Sequence, residues 1–411
     1  MSFWNILLLF IIILPTVHCR IDLGPFSFSL MEPFVLVTAF LLVGAYLFQR
    51  KSITISKTPF LYIFIALSVW TALMRPWSLN WQNGLSDIRD WLVPLLVFMI
   101  LSILARNRWE RWYSLLLIWT LFLAGFGIFQ HFVNGARPFV TELAGYKTGF
   151  TVNPSDEGHL SLVSYAAGFS SHPNDYGLYM LGGLLLALGW VLSQKRYILP
   201  KIAILLPIGL SLYWSYSKSS ILAALILLAL FLLLWRVRPN KLLLAISSII
   251  VLLGLYVLKY LLLSLPQALL STLWWRVGLW NIALNLLSHQ PNILIFGNGM
   301  DLFSQIAYYP QPHNLYIYIL LQYGILGLLL VLTLLLLILI QGMKLYQAHW
   351  YRRDPRLLGL WLGVMSFFSV GLTESTFYGI ENRAIFLILM AGFEGLLIER
   401  KWSYYQQLAK D

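Results

Sequence analysis

Five polar residues set among long apolar stretches have the types and positions to do chemistry: His172, Lys218, Arg276, His313 and Glu374. His313 stands between Pro312 and Asn314 at the start of an apolar run. Histidine ordinarily titrates near neutrality, so a neutral ring here could take a proton from a hydroxyl; the position equally suits a structural helix cap. His172, followed by Pro173 and Asn174, repeats the same arrangement before another run, where an Asx turn is the plainer reading. Arg276 sits in a stretch containing Trp274, Trp275 and Trp280. Its guanidinium either anchors in lipid headgroups or forks onto one particular phosphate. Lys218, in Tyr216-Ser217-Lys218-Ser219-Ser220, opens an apolar helix. It is a snorkelling anchor or, with the first amides of that helix, an anion contact. Glu374 closes another run between Thr373 and Ser375, placed to orient a base, to pair with a cation, or simply to face water. Phe296-Gly297-Asn298-Gly299 is a tight turn without the phosphate-loop pattern. The acidic pairs Asp87/Asp90 and Asp156/Glu157 have no full ligand set nearby in sequence, so chemistry without metal or cofactor is expected. Glu394, within the last run, reads as a packing or interface residue, although intramembrane acids are functional suspects.

The elements that must position these groups are helices in lipid. Of the 411 residues, 59% are hydrophobic and 11% charged, against about a quarter charged in soluble domains, which excludes a soluble enzyme. Apolar runs at 3–18, 32–48, 59–74, 91–105, 112–132, 176–193, 198–214, 219–235, 242–262, 314–340, 357–374 and 383–398 predict an all-α integral membrane protein with about twelve spans. Residues 1–411 thus read as one polytopic domain. Met1 to Cys19 lacks a basic start and a small-residue cleavage site, and reads as the first span. The single cysteine, Cys19, permits no internal disulfide. The net charge of +12 would suggest nucleic acid in a soluble chain; here it is a topology signal, because most basic residues fall in alternate short loops. With both termini cytoplasmic, those loops are the inner ones, no nucleic-acid partner is expected, and all five candidate residues fall on the outer face. Two outer loops, 134–175 and 263–313, are long enough to carry function. Within the second, 269–288 predicts an amphipathic surface helix with its tryptophans at the headgroups.

The order Arg276, Trp280, Pro291, Gly297-x-Gly299, Pro312-His313-Asn314 and Gly324-x-x-Gly327 resembles the signature of the O-antigen ligase and polymerase family, most specifically over 274–330. The resemblance implies a glycosyltransferase fold of the C type in the bacterial inner membrane. It also implies transfer of a glycan from an undecaprenyl diphosphate carrier to lipid A core or another acceptor on the periplasmic or outer face, without metal. Arg276 and His313 match the family's arginine and outer-loop histidine. Lys218 falls where the family has Ser-Arg, and a lysine offers a point charge in place of a bidentate grip. On this resemblance Arg276 and Lys218 bind the donor diphosphate, His313 activates the acceptor in an inverting displacement, and His172, Asn314, Glu374, Gly297 and Gly299 support them. A polymerase joining repeat units shares the signature. A multi-span anion or solute transporter is the alternative of a different class, disfavoured because ionisable residues gather at the outer edge and no internal repeat is evident.

Overall fold

The computed structural model describes residues 3–16, 20–23, 26–29, 31–48, 58–74, 81–104, 108–132, 173–194, 198–236, 267–297 and 300–408. Its helices are α1 (Phe3–Ile13), α2 (Met31–Phe48), α3 (Pro59–Leu73), α4 (Trp81–Leu104), α5 (Trp109–Phe132), α6 (Pro173–Ser193), α7 (Ile198–Trp214) and α8 (Lys218–Arg236). They continue with α9 (Gln267–His289), α10 (Pro291–Phe296), α11 (Met300–Ala307), α12 (Leu315–Gln347), α13 (Trp350–Arg353), α14 (Pro355–Val370) and α15 (Ile380–Leu408). Each expected apolar run coincides with helix except 242–262, which lies outside the described residues, as does most of the 134–175 loop. Among the described residues four helices, α5, α6, α8 and α12, are long and apolar enough to cross a membrane by length and composition.

The all-helical class holds, with one short hairpin added. Arg20–Leu23 (β1) pairs antiparallel with Phe26–Ser29 (β2), Arg20 opposite Ser29 and Leu23 opposite Phe26. The reason is visible in Phe26-Ser27-Phe28-Ser29, whose alternation has the period of a strand and not of a helix. The stretch 269–288 is helical, within α9. It buries Leu279, Ala283, Leu286 and Leu287, at the spacing of one helical face, and exposes Trp274 and Trp275.

Local sequence sets where helices begin. Thr58 accepts a hydrogen bond from Leu61 N ahead of Pro59, and Asp354 accepts from Arg356 N ahead of Pro355. Both pair a side-chain cap with a proline whose missing N–H would have had no helical partner. Small residues then decide which helices approach. Gly359 and Gly363 on α14 face Gly182 and Gly189 on α6, and a Cβ at Gly359 would stand 2.5 Å from Leu185 O. Between apolar helices in lipid, such backbone proximity supplies the dispersion that hydrophobicity cannot. It sets α6 and α14 antiparallel, so the start of α6 lies beside the end of α14.

α12 is not one straight helix. Gly324 has φ +66°, ψ −171°, and the kink frees the carbonyl of Tyr323, which accepts from Trp70 Nε1 at 2.7 Å. The end of α10 fits into this kink: a Cβ on Gly297 (φ +79°) would come within 2.5 Å of Gln322 O, and one on Gly324 within 2.2 Å of Ile295 O. Only glycine allows both the left-handed backbone and the contact.

Gly359→Ala is expected to lower stability by about 1–3 kcal/mol, because its methyl meets a carbonyl that cannot move aside. Gly209→Ala, on α7 with open space around the added carbon, is expected to leave stability unchanged. Thermal unfolding of the two purified variants in one detergent makes the comparison.

Candidate functional site

At the end of the bundle where α6 and α8 begin and α14 stops, four separate stretches of chain meet on one carboxylate. Glu374 lies four residues beyond α14 in the turn leading to α15, and is 7% exposed. Its Oε1 accepts from Asn174 Nδ2 (2.8 Å), Ser219 Oγ (3.2 Å) and Arg276 Nη2 (2.5 Å). Its Oε2 accepts from His313 Nδ1 at 2.7 Å. An ionised carboxylate can only accept, so Nδ1 carries a proton, and a neutral ring held this way keeps its lone pair on Nε2. Among the described residues, His313 Nε2 and Arg276 Nε are buried without a hydrogen-bond partner.

His313 is held on both sides. The carbonyl before it, Pro312 O, accepts from Trp280 Nε1 at 2.9 Å. After it, Asn314 caps α12 by accepting from Tyr316 N and Ile317 N, and its Nδ2 donates to Leu372 O at 2.9 Å. Leu315 N donates to Gly371 O, tying the start of α12 to the turn that carries Glu374. Between these anchors His313 has φ +49°, a conformation that costs a non-glycine residue about 1–2 kcal/mol and persists only where its surroundings impose it. The rings of Trp275 and Tyr309 lie 5.4 and 5.2 Å from the imidazole and wall off its flanks. Burial, and then the charge of Glu374, raise the Tyr309 phenol above its ordinary pKa, with Arg276 opposing, so Tyr309 is a neutral donor at physiological pH.

Of the residues expected from sequence, Arg276, His313 and Glu374 converge and Asn314 orients them. Gly297 belongs to the scaffold, as the contact between α10 and the α12 kink. Lys218 is exposed at the first turn of α8, one residue before Ser219. Gly299 and His172 lie outside the described residues. Sequence reading missed Asn174 and Ser219, although each sits within two residues of a side chain that was singled out; nothing in a one-dimensional pattern marks a lone amide or hydroxyl as a ligand of a distant carboxylate. Among the described residues no three His, Cys, Asp or Glu side chains gather as a metal site would require.

Arg383 was not singled out from sequence. It is 1% exposed and braces the site from behind. Its Nε donates to Phe377 O (2.8 Å), and its Nη2 to the hydroxyls of Tyr318 (3.0 Å) and Tyr323 (2.9 Å). Nη1 lies 3.3 Å from Asp90 Oδ2, and the guanidinium sits 4.9 Å from the centre of the Trp91 ring. One side chain therefore joins the turn carrying Glu374, the half of α12 that follows His313, and α4. Arg satisfies this because its donors form a fixed planar fork while its face can stack.

Residues 202–332 match the family model described as O-antigen ligase. No curated protein matches the chain. The matched segment contains Ser219, Arg276, Gly297, His313 and the Gly324 kink; Asn174, Glu374 and Arg383 lie beyond it and join the site only through the fold.

Arg383→Met is expected to destabilise the protein by about 1–3 kcal/mol, because it removes one of the two arginines beside Asp90 and the buried donor to Phe377 O, Tyr318 and Tyr323. Chemical denaturation followed by tryptophan fluorescence would register it.

Proposed function

We propose that this chain, with its O-antigen ligase segment at 202–332, is a membrane glycosyltransferase. In this reading it moves a glycan from an undecaprenyl diphosphate carrier to an acceptor hydroxyl at the outer face of the bacterial inner membrane. The observation that carries the reading is the Glu374–His313 pair, which leaves a buried, proton-accepting Nε2 beside an arginine. Displacing a diphosphate from a sugar's anomeric carbon needs a base for the incoming hydroxyl and positive charge on the departing oxygens. His313 Nε2 takes the acceptor proton as the acceptor oxygen bonds to the anomeric carbon. The carbon–oxygen bond to the diphosphate breaks, and its electron pair leaves with the phosphate. Glu374 holds the ring in the competent tautomer and stabilises the imidazolium that forms. Arg276 presents the edge that Glu374 does not occupy, Nε and part of Nη1, to the phosphate oxygens, and the exposed Lys218 adds a second charge.

The charge distribution supports an outward-facing site. Arg236, Lys344, Arg352, Arg353 and Arg356 stand at or between the opposite ends of α8, α12 and α14, the end that positive-inside bias assigns to the cytoplasm. Twelve spans with both termini cytoplasmic, the count expected from the apolar runs, accord with this orientation. Gathering of His313, Glu374 and Arg276 at one end of the helix bundle favours transfer over transport. The acceptor in this reading is lipid A core or another glycan, delivered a finished chain.

In vesicles supplied with lipid-linked glycan, His313→Ala is expected to cut transfer about 10²- to 10⁴-fold. Arg276→Lys should lose activity despite keeping its charge; full activity there would rule out a forked arginine contact with the diphosphate. Surface glycans from a deletion strain separate the reactions. Loss of capped acceptor with accumulation of carrier-linked chains marks a ligase, whereas collapse of a ladder to single repeats marks a polymerase.

A further inference from the structure

The turn between α7 and α8 alternates between the two sides of the fold. Ser215, Ser217 and Ser220 are fully buried, while Tyr216 is 40% exposed and Lys218 is also exposed. The inward residues fasten the turn. Ser215 Oγ donates to Leu212 O (2.6 Å) and accepts from Ser217 N (3.2 Å), and Ser217 Oγ donates to Ser220 Oγ (2.9 Å). Gly177 on α6 packs directly beneath, where a Cβ would come within 2.5 Å of Ser217 Cβ. Tyr216 is thereby held at φ +52°, a conformation that an aromatic side chain rarely adopts, with its ring turned outward.

Its ring has aromatic company. The Tyr213 ring lies 6.3 Å from it, and His131 lies 6.5 Å away. His131 stacks on Trp214 at 4.6 Å with 14° between planes, and Phe132 meets Trp214 edge-on at 5.1 Å. Tyr213 and Phe132 are both more than half exposed. Aromatic side chains at a bundle end commonly sit in lipid headgroups, but that role asks for no fixed ring and no left-handed backbone. The decisive feature is continuity with the site. Ser219, three residues on and at most about 11 Å away in Cα terms, bonds both Glu374 and Arg276, and Lys218 lies between.

We propose that Tyr216, with Tyr213 and the Trp214–His131 stack behind it, is a platform for a pyranose ring of the donor glycan, the one next to the diphosphate. The proposal rests on the glycosyl-transfer reading above. A pyranose whose hydroxyls are equatorial has an apolar face of axial C–H groups that packs on an aromatic ring, and Lys218 meets the adjoining anion. The flat ring and the point charge thus read two consecutive parts of one ligand.

The test is competition between two carriers for the full chain, read by native mass spectrometry: undecaprenyl diphosphate bearing one N-acetylglucosamine, and bare undecaprenyl diphosphate. The unaltered chain is expected to favour the glycosylated carrier roughly five-fold, the range of one aromatic stacking contact. Tyr216→Gly removes the ring while suiting the left-handed backbone, so it keeps the fold. It should bring the ratio to about one with bare-carrier binding unchanged, and Tyr216→Phe should restore the preference. A preference that survives in Tyr216→Gly, or equal loss of both carriers there, overturns the platform. Equal binding of both carriers by the unaltered chain also overturns it while leaving the donor reading intact. Binding of neither carrier overturns the donor reading, and the platform with it.

Discussion

A carboxylate taken out of water costs several kcal/mol unless donors answer its lone pairs, and Glu374 is answered from four directions. Asn174, Ser219, Arg276 and His313 come from the starts of α6 and α8, the middle of α9 and the approach to α12, so this one side chain fixes the relative positions of four elements. The arrangement divides labour between its oxygens. Oε1 compensates the guanidinium and takes neutral donors, while Oε2 accepts from the imidazole. Because the imidazole proton is committed to Oε2, the reactive lone pair is directed away from the carboxylate. The same interaction thus serves stability and chemistry, and the left-handed backbone of His313 is tolerated because residues on both sides are pinned.

The scaffold exists to bring those donors to one point. Glycines on α6 and α14 allow the close antiparallel approach that puts Asn174 beside Glu374. Gly297 and Gly324 let α10 settle into the kink of α12, fixing the connection from α9, which carries Arg276, to the helix that follows His313. Behind the carboxylate, Arg383 crosses from the Glu374 turn to Tyr318, Tyr323 and Asp90. None of these contacts touches a substrate in the proposed reaction. Each removes a motion that would lengthen the 2.7 Å bond between His313 and Glu374.

Residue type and order made part of this legible. His313 beside a proline and a capping asparagine, Arg276 among tryptophans, and an acid closing a span each announced a chemical capacity, and the apolar runs located the helices. What remained hidden was pairing. Glu374 could equally have been an exposed interfacial acid, because it lies 61 positions after His313, across helices whose packing depends on backbone approach at Gly359 and Gly363. Arg383 gave no signal in sequence, since burial of a guanidinium depends on tyrosines and an aspartate that sequence spacing does not bring together. The β1–β2 hairpin was overlooked because its alternation is only a few residues long and sits between two strongly apolar runs.

The central claim is that Glu374 holds the neutral His313 ring with its proton on Nδ1 and its lone pair on Nε2. Nitrogen-15 NMR of histidine-labelled full-length protein in lipid reports that directly, with the His313 signals among the seven histidines identified by their loss in His313→Gln. The account predicts a protonated Nδ1 and an unprotonated Nε2 in the neutral ring, with the tautomer preference lost in Glu374→Ala. A ring protonated on Nε2, or one indifferent to Glu374, would contradict it.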